Sequence, residues 1–306
     1  MKEPLSTGAT ELPPMIVGIA TTGRAETLTR VIRHMDALEP PPQRIMLSVI
    51  RPLDLEGVAT ERVPLEVIVT ERPGASGQRN DILERAPEGS VIVFFDDDFV
   101  PAESYLGAVG TLMATRPDVV MVTGTVLADG ILGPGLAIED ADAILREDRA
   151  DAQSASEIDP IPVHNGYGCN MAVRRDAAAG AGIRFDERLP LYSWLEDVDF
   201  SRRLALHGSI LRSAEARGVH LGVKSGRTPG LRLGYSQVIN PLYLWRKGTF
   251  AGWRALRQVG RNIAANAWRS ARPEPWVDRL GRLRGNLLGL AHALTGRLDP
   301  EHAAKL

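Results

Sequence analysis

An apolar run that ends in three aspartates is the feature that most constrains how this chain can fold. Residues 91–95 are all apolar (VIVFF), and Asp96, Asp97 and Asp98 follow directly. A strand without polar alternation is buried on both faces, as in parallel α/β sheets, whose ligands bind beyond the carboxyl ends of the strands. Three adjacent carboxylates at that place would repel one another unless a cation lay among them. The sequence therefore predicts a site for Mg²⁺ or Mn²⁺, which prefer oxygen ligands, with an acidic turn that binds nothing as the alternative.

Strand and helix patterns alternate along the first part of the chain. Short apolar runs predict strands at 15–20, 45–50, 65–70, 91–95 and 119–126. Helices are predicted over 28–38, from residue 78 onward, and over 101–115. This alternation predicts an α/β fold with a doubly wound, mostly parallel sheet flanked by helices. The acidic segment 129–159 has few large apolar side chains beyond a short helical stretch, and we interpret it as a mobile connection.

Charge is distributed unevenly along the chain. From Lys224 to the end, 15 basic residues stand against 4 acidic ones, so this part carries +11 and the remainder carries −13. Within it, two apolar stripes at helical spacing, in 250–263 and 276–294, alternate with arginines. Such amphipathic helices either pack against the rest of the protein or bind an anionic membrane surface.

Cysteine content and hydropathy predict a cytoplasmic location. Cys169 is the single cysteine, so an internal disulfide is excluded and a reducing compartment is expected. Residues 1–14 lack the apolar core of a signal peptide and are predicted to form a loose tail. No run reaches the ~20 apolar residues of a membrane-spanning helix. We therefore expect a cytoplasmic protein, peripheral on the inner face of the plasma membrane if the basic helices attach there.

Three further motifs accompany the aspartates. They are the loop Thr21-Thr22-Gly23-Arg24 after the first strand, the glycine-rich turn Gly74 to Asn80 (GASGQRN), and the pair Glu196-Asp197 at the start of a helix. In this order the four motifs resemble those of the family 2 glycosyltransferases of bacterial polysaccharide biosynthesis. The resemblance covers residues 15–227. It implies the GT-A fold and metal-dependent, inverting transfer of a sugar from a nucleoside-diphosphate donor to a saccharide or lipid-linked acceptor.

The resemblance also implies roles for individual residues. Asp197 is the expected general base, and Glu196 is expected to orient the acceptor. Asp98 and His220 are expected to ligate Mn²⁺ or Mg²⁺. Contacts with the nucleotide-sugar are expected from Thr21, Thr22, Arg24, Arg79, Asn80, Asp96, Asp97, Lys224 and Arg227. The sugar pocket is expected to include Gly168, Asn170 and Trp194. Asp199 is expected to be structural, paired with Arg202 or Arg203.

The same resemblance divides the chain into regions. Residues 15–227 would be a GT-A catalytic domain, with a nucleotide-binding half at 15–126 and an acceptor half at 127–227, and residues 228–306 would be a basic, amphipathic helical extension. One departure concerns the second strand, which in this family commonly ends in an acidic residue that contacts the nucleotide base. Here the strand is followed by Arg51-Pro52-Leu53-Asp54, so either Asp54 is displaced or base recognition differs.

Two other functions compete with the transferase. A phosphatase of the haloacid-dehalogenase type also has an Asp-X-Asp motif after a strand, but it needs a lysine before its last acidic motif, and here Glu196 to Asp199 precede Lys224. A non-catalytic nucleotide-sugar-binding or scaffold protein would not need the candidate base. Nucleic-acid binding is not expected, because the basic tail contains no known recognition module.

Overall fold

The structure is a computed structural model that describes residues 11–152, 160–225 and 228–306. Its strands are β1 (Met15–Thr21), β2 (Arg44–Val49), β3 (Leu65–Val69), β4 (Val91–Asp96), β5 (Phe99–Pro101), β6 (Val119–Asp129), β7 (Ile161–Pro162), β8 (Asn170–Arg174) and β9 (Ser209–His220). Its α-helices are α1 (Ala25–Asp36), α2 (Ala75–Arg85), α3 (Tyr105–Thr115), α4 (Ile138–Ala152), α5 (Arg175–Gly180), α6 (Glu196–Leu204), α7 (Gly230–Lys247), α8 (Gly252–Arg269) and α9 (Arg279–Leu294). Two 3₁₀ helices, Pro52–Leu55 and Pro300–Lys305, complete the described elements.

These strands form a single mixed sheet in the order β3-β2-β1-β4-β8-β6-β9-β5, with β7 paired to β9. Strands β1 to β4 are parallel to one another, and β6 is parallel to β9. Strand β8 runs antiparallel between β4 and β6. The prediction of a mostly parallel sheet flanked by helices is therefore confirmed.

Strand β4 separates the two layers of the hydrophobic core. Val91, Val93 and Phe95 pack on one face with side chains of α1 and α3. Ile92 and Phe94 pack on the other face with side chains of α2, α5 and α6. The burial of both faces is what the unbroken apolar run predicts, and it directs the three aspartates beyond the strand end toward the carboxyl edge of the sheet.

The structure differs from the sequence-based expectation in the acidic segment. The interpretation of 129–159 as a mobile connection is wrong for its described part, because 138–152 form α4 and residue 129 ends β6. Ile138 and Ala141 are buried in the core, and Asp148 accepts a hydrogen bond from Arg217 at 2.8 Å. A helix with only a narrow apolar stripe can thus be fixed by tertiary contacts. Residues 153–159 lie outside the described residues.

Two of the three C-terminal helices, α8 and α9, are predicted from their periodicity, and all three pack closely on one another. Gly234 of α7 and Gly285 of α9 lie where the helix backbones meet, since a Cβ on either would stand 2.1 Å from a carbonyl oxygen of the other helix. Buried Asn286 donates to the carbonyl of Gly234 at 2.7 Å and accepts from Asn266 of α8 at 2.8 Å. Helix α7 also packs against the sheet domain, where Tyr243 and Leu244 form a small core with Leu189.

The apolar stripes of α8 and α9 remain largely open to solvent. Trp253 and Leu256 are more than half exposed, and Trp268 and Leu294 are 85% and 88% exposed. Packing of these stripes against the rest of the protein, one of the two alternatives, is therefore only partial, for example at buried Val259. Among the described residues, no helix combines the length and apolar character needed to cross a membrane.

Candidate active site

The three aspartates have different partners at the carboxyl edge of the sheet. Asp96 accepts a hydrogen bond from Arg79 at 2.8 Å. Asp97 accepts one from Thr21 at 2.7 Å and one from Arg24 at 2.8 Å. Asp98 accepts one from the backbone amide of Val223 at 2.8 Å. The short turn between β4 and β5 therefore directs each carboxylate to a different part of the site.

Asp96, Asp98 and His220 form a cluster that suits a metal ion. One potential ligand atom from each lies within 4.8 Å of the other two, and Asp98 and His220 are both buried. The cluster forms because β5 pairs with β9, which sets Phe99 opposite His220 and brings the end of β9 beside the aspartates. Two carboxylates and an imidazole fit Mn²⁺, and a predominantly oxygen set also suits Mg²⁺. The expected ligands Asp98 and His220 thus come together, and Asp96 joins them.

Asp129 fixes the orientation of the His220 ring. Its carboxylate lies 2.9 Å from Nδ1 of His220, while Nε2 of the same ring faces Asp98 at 3.3 Å. A carboxylate that fixes one ring nitrogen and leaves the other toward a metal is a common arrangement around metal-binding histidines. Burial lowers the pKa of His220, but the hydrogen bonds to Asp129 and Asp98 outweigh it and raise this pKa to about 10. The sequence analysis did not identify Asp129, because β9 and its pairing were not predicted.

Arg24 connects the first motif with the aspartates and with the loop after β9. It contacts Asp97 at 2.8 Å and Asp98 at 3.6 Å, and it donates to the carbonyl of Ser225 at 3.0 Å. Burial and the nearby charge of Asp98 raise the pKa of Asp97 to about 6, although Arg24 opposes this shift. Thr22 follows Thr21 and is exposed to solvent. The first strand therefore ends in a loop that is bound to the metal-site carboxylates.

Asp54, which follows the second strand, supports the same loop. Its buried carboxylate accepts hydrogen bonds from the backbone amide of Gly23 at 3.1 Å and from the Arg51 side chain at 2.9 Å. Asp54 is therefore next to the Thr21-to-Arg24 loop, with its carboxylate bonded within the protein.

Arg79 joins the metal cluster to the Glu196-Asp197 pair. This buried guanidinium forms an ion pair with Asp96 at 2.8 Å, another with Glu196, and a hydrogen bond to the carbonyl of Gly168 at 2.9 Å. The planar guanidinium has several N–H donors and can bridge two carboxylates in this way. The ammonium group of a lysine cannot donate to both carboxylates with the same geometry. Glu196 is buried, and this burial together with the charge of Asp197 raises its pKa to about 8, although Arg79 opposes the shift.

Asp197 lies at the first turn of α6 and remains partly exposed. Its carboxylate accepts hydrogen bonds from the backbone amides of Gly168 at 3.1 Å and Val198 at 2.8 Å. Burial raises its pKa above the usual range for an aspartate, while these two amides act in the opposite direction. A fixed carboxylate with a raised pKa and access to solvent has the properties of a general base.

The other predicted site residues lie farther from this centre or have their polar groups engaged. Asn80 is fully buried and exchanges hydrogen bonds with the backbone of Phe185. Asn170 is fully buried as well, and its side-chain oxygen accepts from Thr123 at 3.0 Å. Lys224 donates to the backbone carbonyls of residues 130 and 131, each at 3.0 Å. Trp194 is partly exposed on the loop before α6, and Arg227 lies outside the described residues.

Asp199 has the structural role expected for it. The carboxylate is fully buried and accepts hydrogen bonds from Arg203, from Lys247 at 2.8 Å and from Thr249 at 2.7 Å. Of the two arginines considered from the sequence, Arg203 is the partner, while Arg202 donates to a backbone carbonyl. The end of α7 and the following turn thus hold α6, the helix that carries Asp197.

Several solved structures are similar to this chain. TarS residues 1–349 from S. aureus share 13% identity at a TM-score of 0.55, covering 94% of this chain and 88% of that one. The mannosyltransferase PcManGT from Pyrobaculum calidifontis, in complex with GDP-Man and Mn²⁺, shares 17% identity at 0.55, covering 97% and 87%. GalNAc-T7 with UDP, GalNAc and Mn²⁺ shares 15% identity at 0.52, covering 93% of this chain and 55% of that one.

The fold is that of the GT-A glycosyltransferases. No protein-family model and no curated protein matches the sequence. At these identities the similarity concerns the fold and not the chemistry of the site.

Proposed function

We propose that the protein is a metal-dependent, inverting glycosyltransferase that moves a sugar from a nucleoside-diphosphate donor to a saccharide or lipid-linked acceptor. One observation carries this proposal. Arg79 connects the carboxylates of the candidate metal site with the carboxylate pair that contains the candidate base. Asp96 and Asp98, with His220, offer a metal site, and Arg79 links Asp96 to Glu196, the neighbour of Asp197. The GDP-Man and Mn²⁺ bound to PcManGT, and the UDP, GalNAc and Mn²⁺ bound to GalNAc-T7, support the same chemistry.

In this proposal the metal cluster and its cationic neighbours hold the diphosphate. Asp96, Asp98 and His220 would bind Mn²⁺ or Mg²⁺, which supplies positive charge to the diphosphate leaving group. Arg24 lies beside Asp97 and Asp98 and would contact the nucleotide together with Thr22. Lys224 and Arg227 are proposed to contact the phosphates. Asp97, which is bonded to Thr21, would then act mainly by positioning Arg24.

Asp197 would remove the proton from the acceptor hydroxyl. Backbone amides of Gly168 and Val198 fix its carboxylate, and the raised pKa makes it a stronger proton acceptor than an ordinary aspartate. Attack by the deprotonated hydroxyl on the anomeric carbon, from the side opposite the diphosphate, inverts the configuration there. Glu196, held by Arg79, would orient the acceptor. A phosphatase is less well supported, because Asp96, the first aspartate of the motif, is ion-paired rather than free to act as a nucleophile.

Turnover of a panel of nucleotide-sugars with Mn²⁺ and a panel of saccharide acceptors tests the proposal, measured as release of nucleoside diphosphate. Wild-type protein should release it, and Asp197→Asn should reduce the rate at least about a hundredfold while donor affinity stays within about twofold. Leu206→Ala, at the exposed far end of the α6 region, serves as the control and should retain full activity. An equal loss of donor affinity would make Asp197 a binding residue. Donor binding without turnover in the wild type would indicate the non-catalytic alternative.

We also propose that the C-terminal helices attach the protein to an anionic membrane surface on the inner face of the plasma membrane. The exposed apolar side chains of α8 and α9, Trp253, Trp268 and Leu294 among them, support this, since α8 also exposes arginines such as Arg257 and Arg261. Aromatic and aliphatic side chains would enter the interface, and each arginine near anionic headgroups would add ~1 kcal/mol. Such attachment would bring the active site to a lipid-linked acceptor.

Vesicle flotation tests the membrane proposal. Wild-type protein should float with anionic phosphatidylglycerol vesicles but not with neutral phosphatidylcholine vesicles, and high salt should release it. The double variant Trp268→Ser with Leu294→Ser should float less, whereas Leu206→Ser, which is 80% exposed but outside the extension, should behave as the wild type. Protein that stays in solution with anionic vesicles at low salt would overturn the membrane proposal and leave the transferase proposal intact.

A further inference from the structure

Tyr167 and Gly168, two neighbours in the segment before β8, contact both parts of the candidate active site. The amide of Gly168 donates to Asp197 at 3.1 Å, and its carbonyl accepts from Arg79 at 2.9 Å. The hydroxyl of Tyr167 donates to Asp129 at 2.9 Å. One short segment therefore contacts the candidate base through one residue and the support of the metal cluster through the other.

The two carboxylate oxygens of Asp129 have different partners. Its Oδ1 lies 2.9 Å from Nδ1 of His220 and accepts a hydrogen bond from the backbone amide of Ile131 at 3.0 Å. Its Oδ2 accepts the hydrogen bond from the hydroxyl of Tyr167. A carboxylate bound at both oxygens cannot rotate about its Cβ–Cγ bond without breaking a hydrogen bond. Tyr167 therefore helps to keep Oδ1 facing the imidazole.

The side chain of Tyr167 is itself fixed in place. It is partly buried and packs against the hydrophobic core. Its ring meets the ring of His220 edge to face, with the two centroids 6.0 Å apart and an interplanar angle of 88°, a favourable arrangement for aromatic rings. The backbone amide of Tyr167 donates to the hydroxyl of Thr123 on β6 at 3.1 Å. Tyr167 thus contacts His220 through its ring and supports it through Asp129.

We propose that Tyr167 is a positioning residue of the metal site, which fixes Asp129 and through it the ring of His220. This inference rests on the proposed function, in which His220 binds Mn²⁺ or Mg²⁺ together with Asp96 and Asp98. The outer partners of a metal-binding histidine set its ring orientation, and their loss weakens metal binding. Removal of the Tyr167 hydroxyl should therefore lower the affinity for the metal, although this hydroxyl bonds to Asp129 and not to the metal.

Titration with Mn²⁺ alone, followed by electron paramagnetic resonance of the free ion, measures this effect without donor or acceptor. Tyr167→Phe, which removes only the hydroxyl, should raise Kd for Mn²⁺ about three- to tenfold, less than the roughly 10–100-fold expected for loss of Asp129 itself. Tyr243→Phe is the matched control, because its hydroxyl also donates to an aspartate, Asp186 at 2.7 Å, outside the metal cluster. It should leave Kd unchanged. Thermal unfolding without metal checks that each variant is folded.

A double variant distinguishes positioning from a general structural role. Asp129→Ala removes the acceptor of the Tyr167 hydroxyl, so in that background Tyr167→Phe should change Kd for Mn²⁺ by less than about twofold. The visible absorption of bound Co²⁺ depends on the geometry of its ligands and supplies a second readout. Tyr167→Phe and Asp129→Ala should shift these bands in the same direction, whereas Tyr243→Phe should not shift them.

The outcomes separate the two proposals. Unchanged Mn²⁺ affinity in Tyr167→Phe would overturn the positioning role and leave the proposed function standing. An equal effect of Tyr167→Phe with and without the Asp129 carboxylate would also overturn it, because the hydroxyl would then act by another route. Failure of the wild type to bind Mn²⁺ or Co²⁺ would overturn the metal site of the proposed function, and the positioning role with it.

Discussion

Replacing Asp199 should destabilise the protein more than replacing any other carboxylate on α6. It should also reduce catalysis, although Asp199 is not proposed to contact a substrate. Asp199 is fully buried, two residues after Asp197, and it joins α6 to the end of α7. Thr249 and Lys247 donate to it from the α7 side, and Arg203 donates from within α6. Loss of these hydrogen bonds should therefore lower the overall stability and also shift the position of α6.

The structure sets the size of the effect. Asp199→Ala removes hydrogen bonds from two cations and one hydroxyl, and hydrogen bonds to charged groups contribute about 1.5–3 kcal/mol each. The loss is moderated because the Lys247 and Arg203 side chains are 26% and 24% exposed, and Lys247 keeps a second partner in Asp186 at 2.6 Å. We expect a decrease of about 3–5 kcal/mol in the free energy of unfolding, as for a broken buried ion pair. Thr249→Val, which removes only the hydroxyl contact, should cost about 1.5 kcal/mol, the lower end of this range.

Urea unfolding and steady-state kinetics together check this prediction. The double variant Asp199→Asn with Thr249→Val should show a coupling free energy of about 0.5–3 kcal/mol, because the two residues are in contact. In the same proteins kcat should fall while the affinity for Mn²⁺ and nucleoside diphosphate is kept. Arg246→Met, which removes an exposed cation next to Lys247, is the matched control. A stability loss below about 1 kcal/mol in Asp199→Ala, or the absence of coupling, would refute the argument that α7 holds α6.

Three further predictions concern the site itself. Asp129→Asn should weaken Mn²⁺ binding about 10–100-fold by releasing the His220 ring, measured by Mn²⁺ titration, and unchanged affinity would contradict this role. Arg79→Lys should lower turnover at least about tenfold, measured by nucleoside diphosphate release, because a lysine cannot bridge two carboxylates; full activity would contradict it. Because the pKa of Glu196 is about 8 in the folded protein, the folded state binds the extra proton, so stability should fall as pH rises from about 4.5 to 8. Glu196→Gln should flatten this part of the unfolding profile, and an unaltered profile would contradict the shift.

The elements with a clear pattern of apolar residues could be predicted from the sequence. The run 91–95 is apolar throughout and forms a strand buried on both faces, and the periodic apolar residues of 28–35 form the buried side of α1. In the site, Asp98 and His220 come together, as the resemblance of the motifs implied.

The parts that were missed depend on contacts between distant residues. Strand β9 has polar and charged residues at irregular positions, such as Arg212 and Glu215, and shows no clean alternation; its pairing with β6 is interrupted by register shifts. Without β9, the position of Asp129 behind His220 could not be anticipated.

Metal-dependent binding of a nucleoside diphosphate is the measurement that tests the central claim most directly. Calorimetric titrations of UDP and GDP into the protein should show binding with Mn²⁺, no measurable binding after chelation with EDTA, and no metal-dependent binding to Asp98→Asn, whose far-ultraviolet circular dichroism should match the wild type. This outcome is predicted because Asp98 is buried between Arg24 and His220, where the diphosphate and the metal would meet. Equal affinity with and without Mn²⁺, or an Asp98→Asn variant that binds as the wild type does, would contradict the assignment of a metal-dependent nucleotide-sugar site.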